Sequence, residues 1–251
     1  MPIERIKKLI SEPEMSMDAL SGEVNSKDHF EVARLLHQLS VDGKILVFNC
    51  LDSDQKRQEL LYETDQDSRL EIQESLDRGY LAQLLGKMAE DEATDLLKEH
   101  NPEIQEELLS QMETGDAVVI KDLITYEEET AGGLMVPKFK QVSAEQPAQN
   151  ILMQIKRETN SDTLSYFYVL GPRKELLGYF RLRDLLNAPT TARADQFMRS
   201  PAPKVHLNDS CDKVASLMDN EHLSTVPVVD DDNIMHGIVT FDDVIRIMQD
   251  L

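Results

Sequence analysis

Several short stretches of this chain carry carboxylates at spacings that suit a hard cation. Asp91, Glu92 and Asp95 are three and four residues apart, so on a helix they share one face. Glu59 stands just before a Leu60-Leu61 pair. Asp219 and Glu221 come shortly before a strand pair, and Asp230, Asp231 and Asp232 form an unbroken acidic run. Small hard divalent cations take oxygen ligands, keep much of their water and are held by only one or two carboxylates. A site responsive to such an ion is therefore expected to be sparse, with carboxylates on two surfaces that repel until an ion neutralises them. Like charges one helical turn apart cost a few tenths of a kcal/mol per pair, and a bound cation removes that cost. Each stretch also has a plain structural reading. Asp91 and Glu92 suit the capping of a helix start, and the aspartate run suits a β-turn, where Asp bonds its own backbone.

These side chains need elements to hold them. Residues 226–248, VPVVDDDNIMHGIVTFDDVIRIM, read as strand, turn, strand and helix. The β-branched run 226–229 and the run 236–240 are the strands, and 230–233 is the turn between them. Asp242 opens a helix with Val244, Ile245 and Met248 on one face. The same parts occur upstream in 167–186, FYVLGPRKELLGYFRLRDLL, where Asp184 opens the helix. Met135 and Met198 are 63 residues apart, as are Val142 and Val205, whereas Gly178 and Gly237 are 59 apart, as are Asp184 and Asp243. The earlier copy thus carries four extra residues in its middle, and the repeat spans roughly the last half of the chain.

A tandem of strand–turn–strand units running through G-x-x-[ST]-x-x-[DE] into a helix resembles a pair of cystathionine-β-synthase (CBS) domains. The second copy has Gly237, Thr240 and Asp243; the first has Gly178 and Asp184, with Arg181 where the hydroxyl should be. The resemblance implies β-α-β-β-α units and an adenosine nucleotide in the cleft between copies, modulating and not reacting. The Asp accepts from the ribose hydroxyls and the Ser or Thr meets phosphate, roles that pass to Thr240 and Asp243. Asp184 takes the ribose role in the first copy, with Arg183 beside it for phosphate. The departure at Arg181 leaves at most one of the two clefts complete. The plain reading of Asp243 is a helix-start carboxylate favoured by the dipole. The chain has no Walker-type phosphate loop.

Acids number 47 against 26 bases, for a net charge of −21. Residues 1–130 hold 31 acids and 13 bases, residues 131–251 hold 16 and 13. Such a surface disfavours nucleic acid and anionic lipid, which need basic patches, and favours solubility or cations. No apolar run approaches a membrane span and the N-terminus is too charged for a signal peptide, so the chain reads as cytoplasmic, without direct membrane insertion. Cys50 and Cys211 stand alone in helix-like stretches and read as small buried hydrophobes. The six histidines form no H-x-x-H or H-E-x-x-H spacing and G-x-S-x-G is absent, which argues against an enzyme. Methionines such as Met88, Met112, Met218 and Met248 fall at apolar helix positions and read as core.

Residues 26–114 show no strand signal but a beat. Leu35, Val47, Leu60, Ile72, Leu84, Leu96 and Leu108 recur at intervals of 12 or 13 residues. Between them lie cap formers: Asp52-Ser53-Asp54, Asp65-Gln66-Asp67, Glu90-Asp91 and Asn101-Pro102. Each unit is a two-turn helix and a tight turn, too short to stand alone but able to bury a continuous core when stacked. The fold class expected is α+β: a right- or left-wound superhelix of short α-helices, then the CBS pair. The expected boundaries are 1–25 for a first helix and linker, 26–129 for the acidic superhelix, 130–188 for the first CBS copy and 189–251 for the second. Residues 118–123 should continue as helix into a joint, where Gly132-Gly133 marks positive φ or a close backbone approach.

The acidic superhelix, then YEEETAGGLMVP over 126–137, then a CBS pair, resembles the cytosolic part of MgtE-type magnesium transporters over about residues 28–251. That family continues through a connecting helix into a transmembrane pore, so the chain reads as a soluble part or as a stand-alone relative. The resemblance implies Mg2+ as ligand and ATP as a second one. It implies a homodimer through the CBS domains, a transmembrane pore domain as partner, and a place at the cytoplasmic face of the cell membrane. It carries a magnesium role to Glu59, Asp91 and Asp95 on the superhelix, and to Asp219, Glu221, Asp230, Asp231 and Asp232 on the CBS side. Magnesium would bridge the two acidic surfaces and favour a compact state with the pore closed. The alternative is a stand-alone CBS module that senses adenosine nucleotides or binds a protein partner.

Overall fold

In the computed structural model, which describes residues 2–11, 16–157 and 166–250, the twelve-residue beat becomes a stack of short helices. These are α1 (Pro2–Ser11), α2 (Met17–Asn25), α3 (His29–Leu36), α4 (Val41–Asn49), α5 (Asp54–Glu63), α6 (Gln66–Ser75), α7 (Arg78–Leu85), α8 (Glu90–Lys98), α9 (Pro102–Gln111) and α10 (Thr114–Leu123). All seven anchors, from Leu35 to Leu108, are buried. The stacking runs two helices along: α2 packs on α4, α3 on α5, α4 on α6, α5 on α7 and α7 on α9. Each two-turn helix thereby buries an apolar edge that it could not keep dry alone.

The caps follow the sequence closely. Side chains of Asp28, Ser40, Ser53, Asp65, Asp77 and Asn101 each accept an N–H two or three residues on, and Pro102 occupies the first turn of α9. Helix α8 departs from this. Its N-cap is Ala89, which makes no side-chain cap bond, and Glu90, Asp91 and Glu92 fill the first turn instead. Asp91 and Glu92 therefore act there through the helix dipole and not as caps. The expected linker before residue 26 is also corrected. Met17–Asn25 form α2, capped by Ser16, with Leu20 and Val24 buried.

The chain divides into two units, Met1–Lys121 and Asp122–Leu251. The second contains α11 (Ala131–Leu134), β1 (Gln141–Ser143), α12 (Ala148–Arg157), β2 (Tyr166–Leu170), β3 (Leu176–Arg181), α13 (Leu182–Asn187), α14 (Ala194–Phe197), β4 (Val205–His206), α15 (Cys211–Glu221), β5 (Thr225–Val229), β6 (Met235–Thr240) and α16 (Phe241–Asp250). Two three-stranded sheets result, β1-β2-β3 and β4-β5-β6, each with a parallel and an antiparallel pair. Val142 pairs with Val169 and Val205 with Val228, so the repeat holds in register. The drop in offset falls between α12 and β2, outside the described residues.

The copies are interwoven. Val136, ahead of the first copy, bridges to Ile238 in β6, and Arg199, ahead of the second, bridges to Tyr179 in β3. The Ala131 N–H donates to the Asp209 carbonyl at 2.7 Å and, 63 residues on, the Ala194 N–H donates to the Gln146 carbonyl at 3.0 Å. Each leader thus completes the other copy. A Cβ on Gly178 would lie 2.6 Å from the Arg199 carbonyl oxygen, and one on Gly237 2.7 Å from that of Val136. The motif glycines are therefore required by the crossing of the leaders. At the joint, neither Gly132 nor Gly133 has positive φ. Close approach explains them: a Gly133 Cβ would sit 2.1 Å from the Glu127 carbonyl oxygen.

One core cluster belongs to the first sheet, with Phe167 stacked on Phe180 at 5.2 Å and Ala194 contributed by the second leader. Another joins both sheets through Tyr168, Leu170, Leu176, Val229, Met235 and Ile238. Cys50 and Cys211 are free and buried, and burial pushes both thiols up. Met88, Met112 and Met218 are buried as expected, but Met248 is not. On α16 Val244 is buried, while Phe241, Ile245 and Met248 are exposed. These three recur at i, i+4 and i+7 as one stripe that runs beside Val244. Among the described residues no helix is long and apolar enough to cross a membrane.

Candidate functional site

The carboxylates of the first unit are presented by α5 and α8. Glu59 is in the second turn of α5, half-buried, accepting from Gln55 Nε2 at 2.9 Å, with His29 Nδ1 at 3.6 Å. Asp91 and Glu92 are half-buried in the first turn of α8, and Asp95, one turn on, is exposed. The i,i+4 relation of Asp91 and Asp95 is thus realised on one helix. These are hard oxygen donors of the kind magnesium takes.

In the second unit, Asp219 and Glu221 are exposed in the last turn of α15, which ends in left-handed His222 at φ 51°. Asp230 holds the β5–β6 turn. Its carboxylate accepts from the N–H of Asp232 at 3.0 Å, of Ile234 at 2.8 Å, and from His236 Nε2 at 3.0 Å. The His236 bond, with the backbone donors, holds its carboxyl below the usual range. The turn reading weighed in the sequence accounts for Asp230. Asp231, 3.8 Å from His206 Nδ1, and Asp232 are exposed. Among the described residues no group of three or more His, Cys, Asp or Glu is placed to hold a metal. A magnesium site of one or two carboxylates and water would not form such a group.

The two copies of the nucleotide motif differ in what their carboxylates do. Asp243 accepts from the Thr240 hydroxyl at 2.5 Å and from the Thr240 N–H at 3.4 Å, closing the start of α16. Burial pushes its carboxyl up. Asp184 accepts from the Arg181 N–H at 3.0 Å and from Arg199 at 2.8 and 3.2 Å, a two-pronged contact. The Arg199 bond, with Arg183 and Arg199 charges nearby, holds the Asp184 carboxyl low. Arg183 is exposed, and the Arg181 guanidinium lies 5.3 Å from the centre of the Tyr166 ring. Tyr179 stands 6.2 Å from Tyr166. Arg199, Tyr166 and Tyr179 were not foreseen from the motif. Aligning the leaders at the 63-residue offset would have found Arg199, since it stands where Val136 stands in the other copy.

A cleft of about 650 Å3 lies elsewhere in the first copy, lined by Val142, Ala144, Leu170, Pro172, Lys174 and Arg193 among others. None of the expected nucleotide residues lines it.

A solenoid of two-turn helices, then two interwoven strand–turn–strand units of which the second carries G-x-x-T-x-x-D, defines a short-helix solenoid joined to a CBS pair. Residues 28–129 match the family model of the MgtE intracellular N domain, and residues 194–250 that of the CBS domain. The chain is similar to proteins named Magnesium transporter MgtE. It is 34% identical to that of Enterococcus faecalis over 137 residues, 54% of this chain and 30% of that one. It is 28% identical to that of Thermus thermophilus over 159 residues, 63% of this chain and 35% of that one. The chain thus spans about a third of the length of these curated relatives. Among solved structures it is similar to the soluble part of a magnesium transporter, with a TM-score of 0.82 and 25% identity over 100% of this chain and 99% of that one. A second, the cytosolic domain of the Mg2+ channel MgtE in complex with ATP, has a TM-score of 0.88 at 24% identity over 98% of this chain and 99% of that one. The match of residues 28–129 to an MgtE intracellular N domain and of residues 194–250 to a CBS domain agrees with the resemblance read from the sequence.

Proposed function

We propose that this chain is the magnesium-sensing regulatory region of a magnesium channel or transporter, working at the cytoplasmic face of the membrane beside a pore domain of the same family. The observation that carries this reading is the match to an MgtE N domain ahead of a CBS domain in a chain similar to relatives named as magnesium transporters. The charge supports it: the first 130 residues hold 31 acids against 13 bases. Magnesium taken up by Glu59, Asp91 and Asp95, and by Asp219, Glu221, Asp231 and Asp232, favours a compact, pore-closed state by its preference for that state. Asp230 contributes less, since its carboxylate already serves the turn. The exposed stripe Phe241, Ile245 and Met248 supports a homodimer through the CBS helices.

Small-angle scattering across millimolar magnesium chloride, against sodium chloride of matched ionic strength, tests the reading. Matching removes plain screening. The radius of gyration falls with magnesium alone if the reading is right, and the Asp91→Ala/Asp95→Ala chain compacts less. A radius indifferent to magnesium would refute it.

The nucleotide reading is favoured by a separate observation, the solved neighbour in complex with ATP. ATP then binds the CBS pair through Arg183 and Asp184 or through Thr240 and Asp243, as modulator beside magnesium. Calorimetric titration with ATP tests it, with Asp184→Asn and Asp243→Asn dividing the two clefts.

A further inference from the structure

Asp184 carries the ribose role in the nucleotide reading, and this inference rests on that reading. A ribose diol donates two O–H groups, so it needs a carboxylate with acceptors to spare. Both oxygens of Asp184 are in use. Oδ1 takes Arg199 Nη2 at 2.8 Å, and Oδ2 takes Arg199 Nε at 3.2 Å and the Arg181 N–H at 3.0 Å. Arg199 reaches this point because the leaders cross: its backbone pairs with Tyr179 in β3, two strand positions ahead of Arg181. In the second copy Val136 takes the place of Arg199, and Asp243 accepts from the Thr240 hydroxyl and backbone N–H, with the Arg246 charge opposing the burial that raises its carboxyl.

From this asymmetry we infer that Arg199 is a selectivity latch on the first nucleotide cleft, released from Asp184 only by a ligand that brings phosphate. A guanidinium moved off a carboxylate needs another planar, two-pronged acceptor, and phosphate supplies one. A neutral nucleoside would have to break the contact and offer nothing in return. The surroundings fit an anion. Two guanidiniums, of Arg199 and Arg183, act on one carboxylate in a chain with 47 acids and 26 bases. Tyr166, with Arg181 over its ring and Tyr179 beside it, offers an aromatic face near the same place. The motif departure at Arg181 thus belongs to a cleft tuned for charge, whereas the second cleft, with Val136 and Thr240, selects less strongly for phosphate.

The test is calorimetric titration of the full chain with adenosine, AMP and ATP, using the wild type, Arg199→Ala and Arg199→Gln. The binding step abolished by Asp184→Asn is the one scored. In Arg199→Ala, adenosine binds about threefold tighter because the exposed ion pair is gone, and ATP binds about tenfold weaker because a charge-assisted contact is lost. The preference for ATP over adenosine then falls about thirtyfold, and Arg199→Gln falls between. A merely structural Arg199 would shift all three ligands alike, and an unchanged preference in both variants would overturn the latch while leaving the nucleotide reading intact. No binding of any of the three to wild type or variants would overturn that reading and the latch with it.

Discussion

Asp184 and Asp243 stand at the same place in two copies of one unit, yet their environments push them in opposite directions. Arg199 lowers the Asp184 carboxyl, and burial raises that of Asp243. A lowered carboxyl means that the unfolded chain binds more protons through the acid range. The stability given by Asp184 is therefore present above the ordinary Asp value of 3.8 and is lost as pH falls through its depressed folded value. A raised carboxyl works the other way: the folded form holds its proton longer, so ionising Asp243 weighs against folding as pH rises through the ordinary value and beyond. Asp184→Asn should cost about 1 kcal/mol at neutral pH, as a partly exposed ion pair does, and nothing at the acid end. Asp243→Asn should cost less at neutral pH than at low pH. Urea unfolding of both variants across the acid range measures these slopes, and parallel slopes would show that the two carboxylates share one environment.

At the scale of elements, the first unit depends on its anchors. Leu84 is fully buried at the end of α7, which packs on both α5 and α9. Leu84→Ala should lower stability by about 2–5 kcal/mol through the lost transfer and the cavity, read by chemical denaturation. A buried pair ties α6 to the segment after α8: a ring N–H of His100 donates to the Gln73 side-chain carbonyl, and burial, aided by the Arg78 charge and opposed by Glu74, lowers the imidazole below its ordinary 6.5. The folded unit thus resists the proton that the unfolded chain takes up, and stability falls as pH drops through 6.5 towards the depressed folded value. His100→Leu should remove that part of the acid sensitivity, seen in melting midpoints from neutral to mildly acid pH. The anchors, most caps and the repeat were legible because each is local: a period, a capping residue, a constant offset. Helix α2 was not, because its apolar residues Leu20 and Val24 are too few to show a period and are held by packing on α4. The crossing of the leaders was not legible either, since strand bridges such as Tyr179 to Arg199 are decided by tertiary pairing. The occupant of Asp184 follows from that crossing, so the motif alone pointed to the carboxylate but not to its partner.

For the whole molecule the governing quantity is where the charge sits. Residues 1–130 carry 18 more acids than bases, and residues 131–251 only three more. Self-repulsion of this kind weakens a compact state and is relieved by screening within a Debye length of about 8–10 Å at ordinary salt. The stretch 131–251 gains little from screening, because its charges nearly balance and its interwoven sheets share an apolar core of Tyr168, Leu170, Leu176, Val229, Met235 and Ile238. Amide hydrogen exchange across a sodium chloride series should therefore slow in α3 to α9 and stay nearly level in β4 to β6. Magnesium at matched ionic strength should slow exchange further around α5 and α8, where Glu59, Asp91 and Asp95 stand, because coordination adds to screening only at carboxylates that hold the ion. If magnesium and sodium protect α5 and α8 equally, those carboxylates feel charge but bind nothing, and the first unit is an acidic scaffold instead of a sensor.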